Sequence, residues 1–482
     1  MNIAMLTNNY KPFVAGVPIA VERLAAGLRA QGHTVYIFAP DYHEETSQAD
    51  AVQSAAELAR EDSHTGSEGC TFRFPTTQVM MAGIIPLPCP VYGWLDHVFA
   101  KLHIDIIHVH HPVLTGNAAL RLGKKYHIPV VFTYHTRYEQ YIHYAQPFRS
   151  LQQYVAKQQN AAANEPDHTE TLACAENTVE YEQTHMDIAQ AHAVQAAQSV
   201  LDFTRYQVVQ QYLNTFVNHC DLVFAPTQTM ADYLQPFELE TPIQVLPTGL
   251  SSRAFDIHPE SAALRKKYLP DEYTADGQKC YLFCTVSRMA KEKNLDFMLR
   301  ALALAKAQAG DIFRVLMIGD GPHRKALESL TQELGLSDTV IFTGSIPNDQ
   351  ISVYHQACDL FLFSSQSETQ GIVLLEAFAS SLPAIAIAAT GTSDLIENGV
   401  NGILTNDDET EWAERLVKLM DADSTPTMKQ MGIAARETAL EYEETRIAGK
   451  AADAYRQAIR TKSAAPVLFR LRHLKPHLNS IG

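Results

Sequence analysis

The chain has 482 residues, of which 46% are hydrophobic and 19% charged, and it carries a net charge of −16. That length exceeds a single hydrophobic core and predicts at least two domains. The acidic balance argues against general nucleic-acid binding, and no apolar run reaches the length of a membrane span.

Met1 to Leu6 has no basic leader and is expected to be a first strand, not a signal peptide. The seven cysteines are scattered and odd in number, which predicts reduced core thiols in a cytosolic protein. After the first strand comes a polar turn holding Pro12, Gly16 and Pro18. Val21, Leu24, Ala25 and Leu28 then recur at helical spacing, and Thr34 to Ala39 is a second strand. Strand, loop, helix and strand in this order are the unit of a parallel sheet, and Gly16 sits in the loop where such sheets bind ligands. Tyr42 to Glu68 is a polar, acidic surface excursion. Ile84 to Pro90 is apolar but broken by prolines, so it is not expected inside a strand.

Ile104 to His110 is a strand whose end runs His108-Val109-His110-His111. His108 and His110 share one strand face, which would suit a metal, but no carboxylate or cysteine lies close in sequence, so a structural role is expected. Pro129 to Tyr134 is a further strand that delivers His135 to a carboxyl end of the sheet. From about 146 to 206 the chain becomes acidic and alanine-rich, with no Lys or Arg between Lys157 and Arg205, and reads as an inserted helical segment. Asp221 to Pro226 is the last strand expected in the first half, and Ile243 to Leu250 carries the chain into the second.

The second half repeats strand, polar or glycine loop, and helix. Cys280 to Val286 delivers Arg288 and Lys293, which bracket one loop and suit a diphosphate. Arg314 to Ile318 ends in Gly319-Asp320-Gly321-Pro322, and Val340 to Phe342 ends in Thr343-Gly344-Ser345-Ile346. Leu360 to Phe363 leads to Ser367-Glu368-Thr369-Gln370-Gly371-Ile372-Val373-Leu374-Leu375-Glu376. Here two carboxylates flank a glycine where a strand becomes a helix. The helix start favours phosphate, whereas the carboxylates repel it and would hold hydroxyls. Phosphate and hydroxyls at one site suggest a sugar nucleotide. No Asp-x-Asp metal motif follows a strand, and no Gly-x-Gly-x-x-Gly follows the first one, which disfavours a dinucleotide oxidoreductase.

Glu368 and Glu376 with Gly371 between them, Arg288 and Lys293, the Gly319 to Pro322 loop, Pro247-Thr248-Gly249-Leu250 and the Gly16 loop resemble, in order and spacing, the retaining GT-B glycosyltransferases of the GT4 family. The resemblance implies an α/β fold of two Rossmann-like doubly wound domains facing across a cleft. Residues 1–238 would form the acceptor-binding domain, with the helical insertion at 146–206. Residues 239–445 would bind the nucleotide sugar, and 446–482 would form a C-terminal helix and basic tail. It also implies roles. Arg288, Lys293, Gly16 and the amides of Gly371, Ile372 and Val373 would hold the donor diphosphate. Glu376 would hold the ribose and Glu368 the sugar, while Gly321 and Ile346 would border the base. His135 would contact the transferred sugar. The family is metal-independent, so no cofactor is expected. Ala15-Gly16-Val17 departs from the family's more frequent double glycine.

Within the family, His135 to Tyr144 and Ile85 to Pro88 resemble the diacylglycerol glucosyltransferases of Gram-positive bacteria. That likeness implies a UDP-sugar donor, a lipid acceptor and an acceptor region around Tyr134, Arg137, Tyr138 and Tyr141. From Ala454 onward the chain has Arg456, Arg460, Lys462, Arg470, Arg472 and Lys475, no acid, and interleaved apolar residues. Such a tail suits an anionic membrane surface, at the inner face of the cell membrane, or a terminal helix packed back across the domains. A saccharide or polyisoprenoid-linked acceptor, and a non-catalytic partner protein with the same fold, remain open alternatives.

Overall fold

The structure, a computed structural model, describes residues 1–11, 16–41, 70–74, 76–81, 85–88, 92–137, 207, 209–237, 239–366, 368–421 and 427–464. The acidic segment 146–206, Tyr138, Tyr141, the 42–68 excursion and the tail from 465 lie outside these residues. Two parallel sheets carry the fold. The first holds β1 (Asn2–Leu6), β2 (Thr34–Pro40), β3 (Thr71–Phe74), β6 (Ile106–Val109), β7 (Val130–Thr133), β8 (Leu222–Ala225) and β9 (Ile243–Val245) in the order β3-β2-β1-β6-β7-β8-β9. The second holds β10 (Tyr281–Val286), β11 (Phe313–Ile318), β12 (Val340–Gly344), β13 (Leu360–Phe363), β14 (Ala384–Ile387) and β15 (Gly402–Thr405) in the order β12-β11-β10-β13-β14-β15. This is the predicted pair of doubly wound domains.

Strand alternation divides each sheet's apolar residues between two cores. In the first sheet Ala4, Leu6, Ile107, Val130 and Phe132 face one way, against α2 (Tyr92–Leu102) and α3 (Thr115–Tyr126). Ile3, Met5, Ile106, Val131 and Phe224 face the other way, against α1 (Gly16–Ala30). Both faces are covered, so the strands read as unbroken hydrophobic runs. In the second domain Phe283, Val315 and Leu362 pack on α5 (Leu295–Ala309) and α7 (Glu409–Met420), while Cys284, Leu316 and Phe361 pack on α6 (Ile372–Ala379). Of the five described cysteines, all free, Cys220, Cys280 and Cys284 are buried and Cys70 and Cys358 are partly exposed.

Three expectations are corrected. Ile243–Val245 does not open the second domain: it pairs in parallel with β8 as the edge strand of the first sheet, so that sheet runs past residue 238. Ile85–Pro88 is a strand after all (β5), paired antiparallel with β4 (Thr76–Met81) in a ribbon of two strands. Every strand of such a ribbon is an edge, and an edge position spares proline the amide donor it lacks. Finally, α8 (Glu444–Ala464) returns to the first domain, where Ile447, Ala451 and Tyr455 complete the core around Ile3 and Met5. Lys462, expected among the membrane-facing cations, is ion-paired with Asp221 at 2.8 Å. No described helix is long and apolar enough to cross a membrane.

The chain therefore crosses between domains twice, and the crossings are tied together. Leu250 N–H donates to Tyr442 O (2.7 Å) and Glu444 N–H donates to Leu250 O (2.8 Å).

Candidate active site

The strand carboxyl ends of both sheets meet at this double crossing. In the second domain the loop after β10 and the loop after β11 lie in contact. Met289 N–H donates to Asp320 O (2.9 Å), and His323 N–H donates to Met289 O (3.0 Å). A side chain would not fit between them: a Cβ on Gly319 would lie 2.0 Å from Ser287 O, and one on Gly321 would lie 2.3 Å from Met289 O. Gly319 N–H also donates to Gly344 O at 2.9 Å, which joins the third loop, and the partly buried Ile346 packs beside it on the α6 side of the sheet. The loops expected to border a base are thus one continuous rim.

Gly371 precedes α6 with φ 74°, a left-handed conformation that glycine adopts without strain. The helix start at Ile372 and Val373 points its first amides outward. The neighbouring turn closes in tightly as well, since a Cβ on Gly391 would lie 2.9 Å from Glu368 O.

The two cations are not equivalent. Lys293 Nζ is 2.5 Å from Glu368 Oε1, with both side chains about one-fifth exposed. Ser365 Oγ donates to the same carboxylate oxygen at 3.2 Å, and Ser364 Oγ donates to Lys293 O at 3.0 Å. Arg288 is half exposed and turns to Glu292 four residues on in the same loop. Lys293 and Glu368, read separately from the sequence, therefore form one unit, whereas Arg288 stands at the rim.

The first domain supplies His135, which follows β7. Its Nε2 is 2.9 Å from His110 Nδ1, and burial pushes its pKa down to about 4. Burial likewise lowers His108 and His111 to about 3, with like-charged imidazoles adding to the effect, and His110 is well below its ordinary value. These imidazoles are neutral at physiological pH. Both ring nitrogens of His108 are hydrogen-bonded, whereas the buried His110 Nε2 has no partner, and among the described residues no three His, Cys, Asp or Glu side chains are placed to hold a metal.

Tyr134, expected in the acceptor region, is a residue of the domain core. It is 2% exposed, with its ring 5.9 Å from that of Phe132 in the domain core. The reason is the two-residue period of the strand, which sends Tyr134 to the side of Phe132 and away from His135. Arg137 lies over the ring of Tyr233 at 4.5 Å, on α4 (Gln228–Leu234). Gly16 begins α1 with nothing near its Cβ position, so no close approach enforces glycine there.

Residues between the two glutamates stitch the domains together. Thr369 Oγ1 donates to His135 O (2.9 Å), Thr227 Oγ1 donates to Thr369 O (3.2 Å), and the Gln370 amide makes two bonds to the backbone of Thr248 (2.7 and 3.0 Å). Sequence reading passed over these two residues, and it also missed Arg23. This buried α1 side chain places Nη2 2.5 Å from Glu376 Oε1. The available signal was its position two turns beyond Gly16 on the same helix face.

Comparison with known proteins agrees with this anatomy. Residues 14–194 match glycosyltransferase family 4, and residues 272–438 match glycosyl transferases group 1. An alpha-monoglucosyldiacylglycerol synthase of Streptococcus pneumoniae is 26% identical over 84% of this chain and 75% of its own. The synthase of the same description from Acholeplasma laidlawii is 24% identical over 87% and 88%. A GDP-mannose-dependent alpha-mannosyltransferase of Corynebacterium glutamicum is 25% identical over 84% and 76%. Among solved structures, the sucrose-phosphate synthase of Thermosynechococcus elongatus superposes with a TM-score of 0.65 at 18% identity, covering 95% of this chain and 99% of that one. Anabaena Alr3699/HepE, in complex with UDP and glucose, superposes at 0.61 and 17%, covering 95% and 100%. With a family 4 domain before the double crossing and a group 1 domain after it, on two facing parallel sheets, the chain is a GT-B glycosyltransferase of the GT4 family.

Proposed function

We propose that the protein transfers glucose from UDP-glucose, with retention of configuration, to diacylglycerol at a membrane surface. The observation that carries the donor half is the Lys293–Glu368 pair, next to Thr369 with its bond to the His135 carbonyl, with Glu376 about one turn into α6. The diphosphate would lie on the helix start of Gly371 to Val373, with Lys293 and Arg288 drawn from their carboxylates onto its oxygens. Glu368 would then accept from sugar hydroxyls and Glu376 from ribose hydroxyls. Gly16, at the start of α1, would face the diphosphate from the first domain.

On this reading the acceptor oxygen attacks the anomeric carbon on the face the leaving group departs from. The bond from that carbon to the diphosphate oxygen breaks as the new glycosidic bond forms, and the acceptor proton passes to the departing phosphate oxygen. The cations and helix amides stabilise the charge that develops there, and this kind of preorganised electrostatics is worth about 3–4 kcal/mol per donor. Neutral His135 supplies a hydrogen bond near the sugar without adding a competing charge. No metal is required, so activity is expected to survive chelation by EDTA.

The acceptor half is supported by the two glucosyldiacylglycerol synthase relatives and by the basic, apolar composition of the tail. The mannosyltransferase relative favours a second reading, with GDP-mannose as donor. The test is the purified protein with UDP-glucose, UDP-galactose and GDP-mannose, each against diacylglycerol vesicles, soluble saccharides and polyisoprenyl phosphates. Mass spectrometry identifies the product and NMR its anomeric configuration. A β-linked product would overturn retention, and no lipid product would overturn the acceptor.

A further inference from the structure

Arg23 joins three parts of the molecule: the first domain, the second domain and the chain that crosses between them. It belongs to α1 of the first domain and is 9% exposed. Its Nη2 reaches Glu376 Oε1 on α6 of the second domain at 2.5 Å, and its Nη1 donates to Gly249 O in the outgoing crossing at 3.4 Å. One turn further along α1, Gly27 lets the helix touch the returning crossing. A Cβ there would lie 2.5 Å from Glu444 O and 2.8 Å from Ala448 Cβ. The crossings themselves are just as close, since a Cβ on Gly249 would lie 2.7 Å from Glu444 Cα. The guanidinium is therefore anchored at the double crossing and bonded to a carboxylate of the candidate site.

A carboxylate with one oxygen on a guanidinium keeps its second oxygen as an acceptor in a fixed direction. We propose that Arg23 is a positioning residue for the donor ribose: it holds Glu376 by Oε1 so that Oε2 meets the ribose hydroxyls, and it does so only while the two domains are closed on the hinge. The inference rests on the reading of Glu376 as the ribose ligand. Its consequence is reciprocal. Closure strengthens the grip on ribose, and a nucleotide with both hydroxyls favours closure by the same factor.

The experiment uses the full chain and calorimetric binding of UDP and 2′,3′-dideoxy-UDP, with circular dichroism to confirm folding. The unaltered protein is expected to prefer UDP. Arg23→Met is expected to weaken UDP binding by about thirtyfold or more, the scale of removing one partner of a buried charge pair, while dideoxy-UDP binding changes little, so that the preference collapses. Arg23→Lys, which keeps the charge but not the fork, is expected to fall between, and it carries the test if the methionine variant does not fold. Equal losses for both nucleotides, or an unchanged preference, would overturn the role of Arg23. A protein that never distinguishes the two nucleotides would instead overturn the ribose reading of Glu376, and the inference with it.

Discussion

The phenol oxygen of Tyr455 lies 2.7 Å from Nδ1 of His108, although 347 residues separate them. From there a buried chain leads toward the cleft. His108 Nε2 is 2.6 Å from Thr133 Oγ1, the His108 and His110 rings are 4.2 Å apart, and His110 Nδ1 is 2.9 Å from His135 Nε2. The C-terminal helix thus braces the strand end that is followed by His135, whose carbonyl accepts from Thr369 of the second domain.

Tyr455→Phe removes only the hydroxyl and leaves one nitrogen of a fully buried imidazole without its partner. A loss of about 1–3 kcal/mol of stability is expected, from an unsatisfied buried polar group. Urea denaturation measures it, and an unchanged midpoint would show that the bond contributes nothing.

Acid is expected to unfold the protein early. His108 and His111 are held at about 3 and His135 and His355 at about 4, all by burial, against 6.5 for an unperturbed imidazole. The unfolded chain takes up protons below about 6.5 that the folded chain refuses. Stability from these groups is therefore full above that pH and lost as pH falls toward 3, at about 1.4 kcal/mol per unit for each histidine. Denaturation midpoints at pH 7.5 and 5 should differ clearly; equal midpoints would contradict the neutral state assigned here.

Lys293→Met and Glu368→Gln are each expected to lower kcat/KM by about a hundredfold to a thousandfold, the range for removing one preorganised charge partner. The two side chains are 2.5 Å apart, so the double variant should lose much less than the product of the single losses. Strict additivity in a kinetic double-mutant cycle would separate them into independent roles.

Gly319→Ala sets a methyl group 2.0 Å from Ser287 O at a φ of 131°. The loop carrying Arg288 must move. Stability is expected to fall by about 1–3 kcal/mol from strain and overpacking, with weaker UDP binding, measured by thermal melting and calorimetry. An alanine variant that melts like the parent would show that the two loops are free to separate.

Removing residues 465–482 deletes Arg470, Arg472 and Lys475 together with Val467, Leu468, Phe469, Leu471 and Leu474. Each basic side chain near an anionic surface is worth about 1 kcal/mol, so binding to phosphatidylglycerol vesicles is expected to drop by about tenfold or more. Sedimentation with vesicles is the assay. Unchanged binding would place the membrane contact elsewhere.

Much of this protein was legible in its residues. Unbroken apolar runs such as Leu360 to Phe363, each followed by a glycine or polar loop and a helical period, specify parallel strands covered on both faces, because no other arrangement buries them. The spacing of Glu368, Gly371 and Glu376 around a strand-to-helix turn placed the carboxylates correctly, since that local geometry depends only on neighbours in sequence. What lay beyond was long-range. Whether Ile243–Val245 joined the first or the second sheet depended on which strand edge was open, and only pairing with β8 decided it. The face of Tyr134 followed from strand register, and the pairing of Lys462 with Asp221 from the return of α8. Most of all, the sequence determined that two carboxylates flank a helix start, while only the tertiary structure assigned each its partner: Lys293 to Glu368, and Arg23, from the other domain, to Glu376. Ion-pair partners are chosen by distance in space, and a hinge folded back on itself sets distances that no local pattern encodes.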